Sequence, residues 1–237
     1  MNNNNKEMPC AVITGASRGI GLATAERFLE AGFRVLNLSR SAAPNPAIMQ
    51  IDVDLLDPGW SDAVAEQLHS AVDGSQQIVV VHNAALQYHG GVAELDPQQL
   101  RAVMEINVVA PAILNRLLIP AMQPGSAIIY IGSTMSLKAT ANVAAYVASK
   151  HALLGLMRST CQDLGSSGIH TACICPGFTD TEMLQGYGGE MLSQLAGAST
   201  MGRLVRPEEV AESVYFCATN PAVNGTALRV DLGLIEH

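Results

Sequence analysis

Short apolar runs alternate with longer stretches of helical periodicity along most of the chain. The runs do not alternate in polarity, which is typical of strands in a parallel sheet buried on both faces. We predict strands at residues 10–14, 33–38, 48–51, 78–81, 127–131, 169–175 and 226–230. We predict helices at residues 19–31, 60–72, 97–122, 146–164 and 207–219. This order predicts an α/β fold: a doubly wound parallel sheet of about seven strands with helices on both faces.

The start of the chain and one long irregular stretch complete the organisation. The first residues are polar, rich in asparagine and without the apolar core of a signal peptide. We predict a disordered tail over residues 1–8 and, because no linker or repeat follows, a single domain over residues 9–237. Residues 179–201 are rich in Gly, Ser and Ala and contain no predicted element. Long loops in compact domains are usually lids or binding segments, so we predict a lid there.

A glycine-rich turn follows the first predicted strand and opens the first predicted helix. Its glycines allow close approach to a pyrophosphate, and the helix N-terminus offers free N–H groups and a positive dipole end. The spacing G-x-x-x-G-x-G differs from the commonest dinucleotide fingerprint, G-x-G-x-x-G. The combination still predicts a Rossmann-type nucleotide-binding unit. Its candidate cofactor-binding residues are Gly15, Ser17, Arg18, Gly19, Ile20 and Gly21.

Tyr146 and Lys150 lie four positions apart in a predicted helix, one above the other on the same face. A tyrosine hydroxyl has an ordinary pKa of about 10, and an adjacent cation lowers it. The pair therefore predicts a general acid/base that works near neutral pH. The spacing alone also fits a surface tyrosine with an ordinary helical neighbour.

Taken together, these motifs resemble those of the short-chain dehydrogenase/reductase family. The resemblance is to its shorter, single-domain branch of 3-oxoacyl reductases and small alcohol dehydrogenases. It spans most of the chain and keeps the family order, through residues 14–21, 52–53, 82–85, 107, 133, 146, 150, 176–177 and 225–233. Each pattern is short, but their joint order and spacing are specific.

The resemblance implies that Asn107, Ser133, Tyr146 and Lys150 form the catalytic set of a hydride-transfer enzyme. Tyr146 would donate a proton to the developing alkoxide, and Ser133 would stabilise the same oxygen. Lys150 would lower the pKa of Tyr146 and hold the nicotinamide ribose. Asn107 would bind a water that links Lys150 to solvent.

Ser39 and Arg40 follow the second predicted strand, where an acidic residue would hold the ribose hydroxyls of NAD. A guanidinium suits the 2′-phosphate of NADP, which a carboxylate there would repel. In the resembled family Arg18 is a second cation for that phosphate. We therefore predict NADP(H) over NAD(H), and the alternative for Arg40 is a solvated loop residue.

The resemblance assigns further cofactor contacts to two later turns, which contribute Asn83, Ala84, Ala85, Pro176, Gly177, Thr179 and Thr181. The family usually has glycine at the place of Ala85, so a close fit requires a negative φ there. His82 replaces the usual asparagine, and we expect it to be packed rather than catalytic. Asp52 and Val53 match the pair that contacts adenine, although an Asp that merely ends a strand fits as well.

The substrate pocket is the least constrained part. We expect an apolar pocket under the lid with two polar contributors, from Met135, Phe178, Met183, Leu184, Tyr187, Tyr88 and His89. Family reductases that act on acyl carrier protein carry basic residues in loops that correspond here to residues 123–125 and 166–168. Neither loop has one, and the net charge is −8. A free small carbonyl compound or secondary alcohol is therefore favoured.

The amino-acid composition indicates which other binding partners to expect. Only 14% of residues are charged and 49% are hydrophobic, which favours a subunit interface, and the resemblance implies a homotetramer or dimer. No basic cluster appears, so nucleic acid and anionic membrane are poor partners. The five scattered cysteines suggest neither disulfides nor a metal site, and they indicate a reducing cytoplasm.

We therefore expect an NADP(H)-dependent oxidoreductase that interconverts a small carbonyl compound and its secondary alcohol. Three alternatives remain. One is an NAD-dependent alcohol dehydrogenase, which Ser39 and Arg40 oppose. The second is a 3-oxoacyl-(acyl carrier protein) reductase. The third is a non-catalytic cofactor-sensing regulator, a class that typically lacks the tyrosine or the lysine.

Overall fold

A computed structural model describes residues 8–186 and 188–236. The predicted tail over residues 1–8 lies outside this range except for Met8. Seven strands form one parallel sheet in the order β3-β2-β1-β4-β5-β6-β7. They are β1 Cys10–Thr14, β2 Arg34–Ser39, β3 Ile48–Asp52, β4 Ile78–His82, β5 Ala127–Ile131, β6 His170–Pro176 and β7 Thr226–Val230. The predicted doubly wound sheet is thus confirmed. Its order reverses between β1 and β4, where such folds bind ligands beyond the carboxyl ends of the strands.

The helices cover the two faces of the sheet. They are α1 Gly19–Glu30, α2 Trp60–Val72, α3 Pro97–Met104, α4 Ala110–Leu118, α5 Ala144–Asp163, α6 Glu182–Gln185, α7 Gly189–Gly197 and α8 Pro207–Thr219. The predicted helix at 146–164 starts two residues earlier, at Ala144, which places Tyr146 in its first turn. The predicted helix at 97–122 is interrupted by a π-helical segment, Glu105–Val109, between α3 and α4.

Two hydrophobic layers account for the uniformly apolar strands. Ile128 of β5 packs with Leu68 and Leu114 on the face covered by α2, α4 and α5. The next residue, Ile129, packs with Phe28 and Val214 on the face covered by α1 and α8. Since successive strand residues point to opposite faces, both faces of a central strand must be apolar.

One helical run within the described residues, Pro97–Ala121, has the length and apolar composition of a membrane span. Its Val103, Leu114 and Leu118 are buried, and the latter two pack in the layer against α2 and α5. We interpret the run as a core helix of the domain.

The prediction that residues 179–201 are irregular is wrong in detail, because this segment contains α6 and α7. Helix-forming residues between Met191 and Ala196 explain α7, and glycines at its ends obscured it in the sequence. Neither helix has a buried residue among those described. The two helices therefore lie on the surface, as parts of a lid would.

Candidate active site

Glycine conformation, close packing and the Asn83 side chain fix the turn after β1. Gly15 and Gly19 have φ values of +71° and +55°, which L residues adopt only with strain. A Cβ at Gly21 would lie 2.2 Å from the carbonyl oxygen of Gly15. The Asn83 amide donates to the carbonyls of Thr14 and Gly15 at 2.9 and 3.0 Å. The turn therefore requires these glycines and is tied to the end of β4.

Asn37 is a support for the same turn that the sequence analysis missed. Its Oδ1 accepts a hydrogen bond from the backbone N–H of Ala16 at 2.8 Å. Its Nδ2 donates to the carbonyl of Ser41 and to Oε1 of Gln50. Asn37 is fully buried in β2. A polar residue inside an otherwise apolar strand was the available signal.

A cleft with a volume of about 890 Å³ runs along the carboxyl ends of the strands. Its wall contains most of the predicted cofactor residues, namely Gly15, Ser17, Arg18, Gly19, Ile20, Gly21, Ser39, Arg40, Val53, Asn83, Ala84, Ala85, Tyr146, Lys150, Pro176, Gly177, Thr179 and Thr181. Ala85 meets the condition set above, because the described non-glycine residues with positive φ are Asn142 and Leu232.

Asp52 is absent from the cleft wall, contrary to prediction. It still belongs to β3, where its carboxylate accepts a hydrogen bond from Gln50 at 3.0 Å. The residues that follow it, Val53, Asp54 and Leu55, line the cleft instead.

Both arginines predicted for the 2′-phosphate line the cleft, and each is paired with a carboxylate. Arg18 Nη1 lies 3.0 Å from Oε2 of Glu182, the first residue of α6. Arg40 Nη1 lies 3.6 Å from Oδ2 of Asp54. The hydroxyl of Ser39 donates to the carbonyl of Ser41 at 2.7 Å. The phosphate end of the cleft thus carries cations whose charge is partly balanced.

Ser133, Tyr146 and Lys150 meet at the inner part of the cleft. Ser133 follows β5 through Gly132, where a Cβ would lie 2.7 Å from Cys173 Sγ. The Ser133 hydroxyl accepts from the backbone N–H of Met135 at 3.1 Å and contacts the Tyr146 hydroxyl. Lys150 lies one helical turn after Tyr146 and is buried. Its Nζ donates to the carbonyl of Ile131 at 2.7 Å.

Burial is the largest cause of the pKa shifts of Tyr146 and Lys150, which both lie on α5. Desolvation raises the pKa of Tyr146 to about 12, and the hydrogen bond with Ser133 acts in the opposite direction. Desolvation lowers the pKa of Lys150 to about 8, and the neighbouring Cys173 and Cys175 oppose that shift. Lys150 is not among the causes of the Tyr146 shift, and the expected lowering of the Tyr146 pKa by Lys150 stays a prediction. The ammonium is directed at Ile131, and its Nζ lies 5.3 Å from the centre of the Tyr146 ring. At neutral pH Tyr146 is protonated and can donate a proton.

Asn107 lies in the π-helical segment and connects two parts of the site. Its Oδ1 accepts from the N–H of Leu86 at 2.8 Å, and its Nδ2 donates to the Leu86 carbonyl and to Ser149 Oγ. The Ser149 hydroxyl in turn donates to the carbonyl of Tyr146 at 2.8 Å. The amide thus holds the loop after β4 against the helix that carries Tyr146. The water-binding role of Asn107 stays a prediction.

The pocket beside Ser133 and Tyr146 contains His89, Met135, Phe178, Met183 and Leu184, as predicted from the sequence. Tyr88 is not in the wall, because neighbouring residues of the extended segment point to opposite sides. Tyr187 lies outside the described residues. The wall also contains residues that the sequence analysis missed, namely Gln87, Ile106, Thr140, Ala141, Val143, Met191 and Leu195. These residues come from four separate segments of the chain, so no local sequence pattern identified them as pocket residues.

His82 is part of the core. Its Nε2 lies 2.7 Å from Asn115 Oδ1, and Asn115 donates to the hydroxyl of Tyr130. Burial lowers the pKa of His82 to about 4, so the ring is neutral at pH 7. No cluster of three or more potential metal ligands occurs within residues 8–186 and 188–236. Cys173 and Cys175 are buried in β6 with their sulfurs 3.9 Å apart.

Comparisons with known proteins agree with this geometry. A family model described as Enoyl-(Acyl carrier protein) reductase matches residues 15–235. The cis-4-hydroxycyclohexanecarboxylate dehydrogenase of Sinomonas cyclohexanicum is 30% identical over 94% of this chain and 95% of its own length. A 3-oxoacyl-[acyl-carrier-protein] reductase of Chlamydia muridarum is 29% identical over 94% and 96%, respectively. The structure of a blue fluorescent protein from a metagenomic library, in complex with NADPH, is 29% identical with a TM-score of 0.87, over 97% of this chain and 99% of that one.

The match over residues 15–235 covers nearly the whole domain, and the relatives are aligned over nearly their full lengths. The matched range contains the glycine turn, Ser133 and the helix that carries Tyr146 and Lys150. The chain therefore belongs to the short-chain dehydrogenase/reductase family and is an oxidoreductase that acts on CH–OH groups.

Proposed function

We propose that the protein is an NADP(H)-dependent oxidoreductase that interconverts a small carbonyl compound and its secondary alcohol. The observation that carries this proposal is that Ser133, Tyr146 and Lys150 line the same cleft as the glycine turn. The proton donor and the nucleotide cradle thus open onto one continuous space. It lies where folds of this type bind dinucleotides.

The residues of the cleft fit a nicotinamide dinucleotide. Gly15, Gly19 and Gly21 leave the backbone open, and a Cβ at Gly21 would collide with the turn. The N-terminus of α1 supplies N–H groups for a pyrophosphate. Pro176, Gly177, Thr179 and Thr181 would hold the nicotinamide end. When bound, the nicotinamide supplies or accepts the hydride.

The protein's own part is to orient the carbonyl and to move a proton. Tyr146 donates its hydroxyl proton to the developing alkoxide. Ser133 hydrogen-bonds the same oxygen and stabilises the charge that develops there. Lys150, fixed on the carbonyl of Ile131, holds a positive charge behind the tyrosine. Asn107 fixes the backbone of α5 through Ser149, and we propose that it also binds a water that links Lys150 to solvent.

The preference for NADP(H) follows from the second strand. Ser39 and Arg40 stand where an NAD enzyme would have an acidic residue, and Arg18 lines the same cleft. One similar structure was solved in complex with NADPH. A guanidinium recognises a 2′-phosphate by charge-assisted hydrogen bonds.

We propose a neutral, largely apolar substrate. Methionines, leucine and phenylalanine dominate the described wall beside Tyr146, with Gln87, His89 and Thr140 as polar contributors. Its arginines lie at the nucleotide end. The absence of basic residues at 123–125 and 166–168 disfavours acyl carrier protein, although relatives include such a reductase. The filled catalytic positions disfavour a non-catalytic regulator.

Assembly, location and domain division complete the proposal. Low surface charge and the exposed side chains of Val109 and Phe216 support a homo-oligomer, a tetramer or a dimer. The single domain over 9–237, with a lid at about 179–201, would act in the cytoplasm.

The proposal is tested with a panel of ketones, aldehydes, secondary alcohols and a 3-oxoacyl thioester of acyl carrier protein. Each is assayed with NADPH, NADP⁺, NADH and NAD⁺ by nicotinamide absorbance. We expect reduction of neutral ketones with NADPH. Turnover confined to acyl carrier protein thioesters, or faster turnover with NADH, would contradict it.

A further inference from the structure

The lid begins directly on the glycine turn. Glu182 opens α6, and its Oε2 lies 3.0 Å from Nη1 of Arg18. The residue before it also packs on the turn, since a Cβ at Gly19 would lie 3.2 Å from Cγ2 of Thr181. Both Arg18 and Glu182 line the cleft. The contact between the glycine turn and the proposed lid thus consists of this ion pair and the packing of Thr181.

This ion pair uses the guanidinium that we assign to the 2′-phosphate. A guanidinium binds carboxylate and phosphate through the same N–H groups, so the two anions compete for it. NAD(H) has no 2′-phosphate and leaves the pair intact. The 2′-phosphate of NADP(H) must displace the Glu182 carboxylate from some of the N–H groups of the Arg18 guanidinium.

We propose that Glu182 is a specificity-determining residue, which competes with the cofactor 2′-phosphate for Arg18 and so limits the preference for NADP(H). The inference rests on the proposed function, because it requires Arg18 to bind that phosphate. It adds a role for a lid residue in the choice of cofactor.

The size of the effect follows from exposure. The Arg18 and Glu182 side chains are 70% and 59% exposed, so solvent screens their attraction. Exposed pairs of this kind are weak, and their loss changes an equilibrium by at most about five-fold. Removing the competitor should therefore strengthen NADPH binding by about two- to five-fold.

The test compares Glu182→Gln with Glu212→Gln by fluorescence titration of the full-length protein with NADPH and with NADH at low salt. Glu212 is a matched control, because it forms a 2.8 Å ion pair with Arg27 and is 63% exposed, away from the cleft. We expect Glu182→Gln to lower the Kd of NADPH by about two- to five-fold and to leave the Kd of NADH unchanged. Glu212→Gln should change neither.

Arg18→Ala separates the two possible failures. This substitution should weaken NADPH binding. In the Arg18→Ala background, Glu182→Gln should no longer change the Kd of NADPH. If Arg18→Ala weakens NADPH but Glu182→Gln alters neither cofactor, or both equally, the competition is refuted and the phosphate site stands. If Arg18→Ala leaves NADPH binding unchanged, the assigned phosphate site is wrong and the competition is wrong with it.

Discussion

Lys150 donates a hydrogen bond from Nζ to the carbonyl oxygen of Ile131 at 2.7 Å. This bond joins α5 to the end of β5, two residues before Ser133. The distance between the helix that carries the proton donor and the strand that leads to Ser133 is therefore set by a side chain of the catalytic set itself. The same ammonium lies 5.3 Å from the centre of the Tyr146 ring.

Tyr146→Phe should reduce kcat by about 10²- to 10⁴-fold, the usual contribution of a general acid. Cofactor affinity should change little, because only the hydroxyl is removed. The measurements are steady-state kinetics and a cofactor titration. Tyr88→Phe is the matched control, since Tyr88 is partly exposed and outside the cleft wall. Turnover of the Tyr146 variant within a few-fold of wild type would refute its role.

Reduction should lose rate as the pH rises through about 8. Burial lowers the pKa of Lys150 to about 8, so its positive charge is present below that pH and lost above it. Tyr146, with a pKa raised to about 12, remains protonated throughout this range. The pH profile of kcat/KM reports groups of the free enzyme and checks this directly. A profile that stays flat to pH 10 would contradict control by Lys150.

Arg40→Asp should move the preference from NADPH toward NADH. Charged hydrogen bonds are worth roughly 1.5–3 kcal/mol. Loss of a phosphate contact should therefore weaken the binding of NADPH about ten- to a hundred-fold. The lower end is expected, because Arg40 is paired with Asp54 and Arg18 remains. The measurement is kcat/KM with both cofactors.

Arg101→Asp, the same charge reversal at an exposed position of α3, serves as its control. An unchanged NADPH/NADH ratio in Arg40→Asp, or a wild type that already prefers NADH, would show that the assignment of Ser39 and Arg40 is wrong.

Asn37→Leu should destabilise the protein and weaken cofactor binding together. It leaves the N–H of Ala16 without its buried acceptor, which costs about 1–3 kcal/mol. For a domain of this size that corresponds to a fall in Tm of about 2–12 °C. Thermal denaturation and an NADPH titration measure both effects. Asn45→Leu is the control, because Asn45 bonds within its own turn. Wild-type stability in Asn37→Leu would contradict the role of this support.

The sequence predicted the sheet closely because β1, β2 and β5 are buried on both faces, and that burial requires continuous apolar runs. The glycine turn was predictable for a similar reason, since its backbone conformation excludes other residues at Gly21. In both cases local composition reflects a local physical requirement.

The remaining features depend on contacts between distant segments. Asn37 supports Ala16 across 21 positions of the sequence, and the direction of the Tyr146 pKa shift depends on burial that only the folded chain creates. Asp52 was predicted in the cleft by analogy, but the point at which β3 ends decides that residues 53–55 line it instead. The helices of the lid were hidden by their glycines.

The orientation of Asn107 depends on the number of residues in the π-helical segment Glu105–Val109. An α-helix turns by about 100° for each residue, and a π turn accommodates one residue more than an α turn. Because the wider turn absorbs this extra residue, removing one residue here would restore a regular helix with α3 and α4 nearly in their present orientation. The same deletion inside α3 or α4 would instead rotate the following part of the helix by about 100°. The residues inside the segment, Asn107 among them, would shift relative to Leu86 and Ser149, so the wider turn sets the direction of the Asn107 amide.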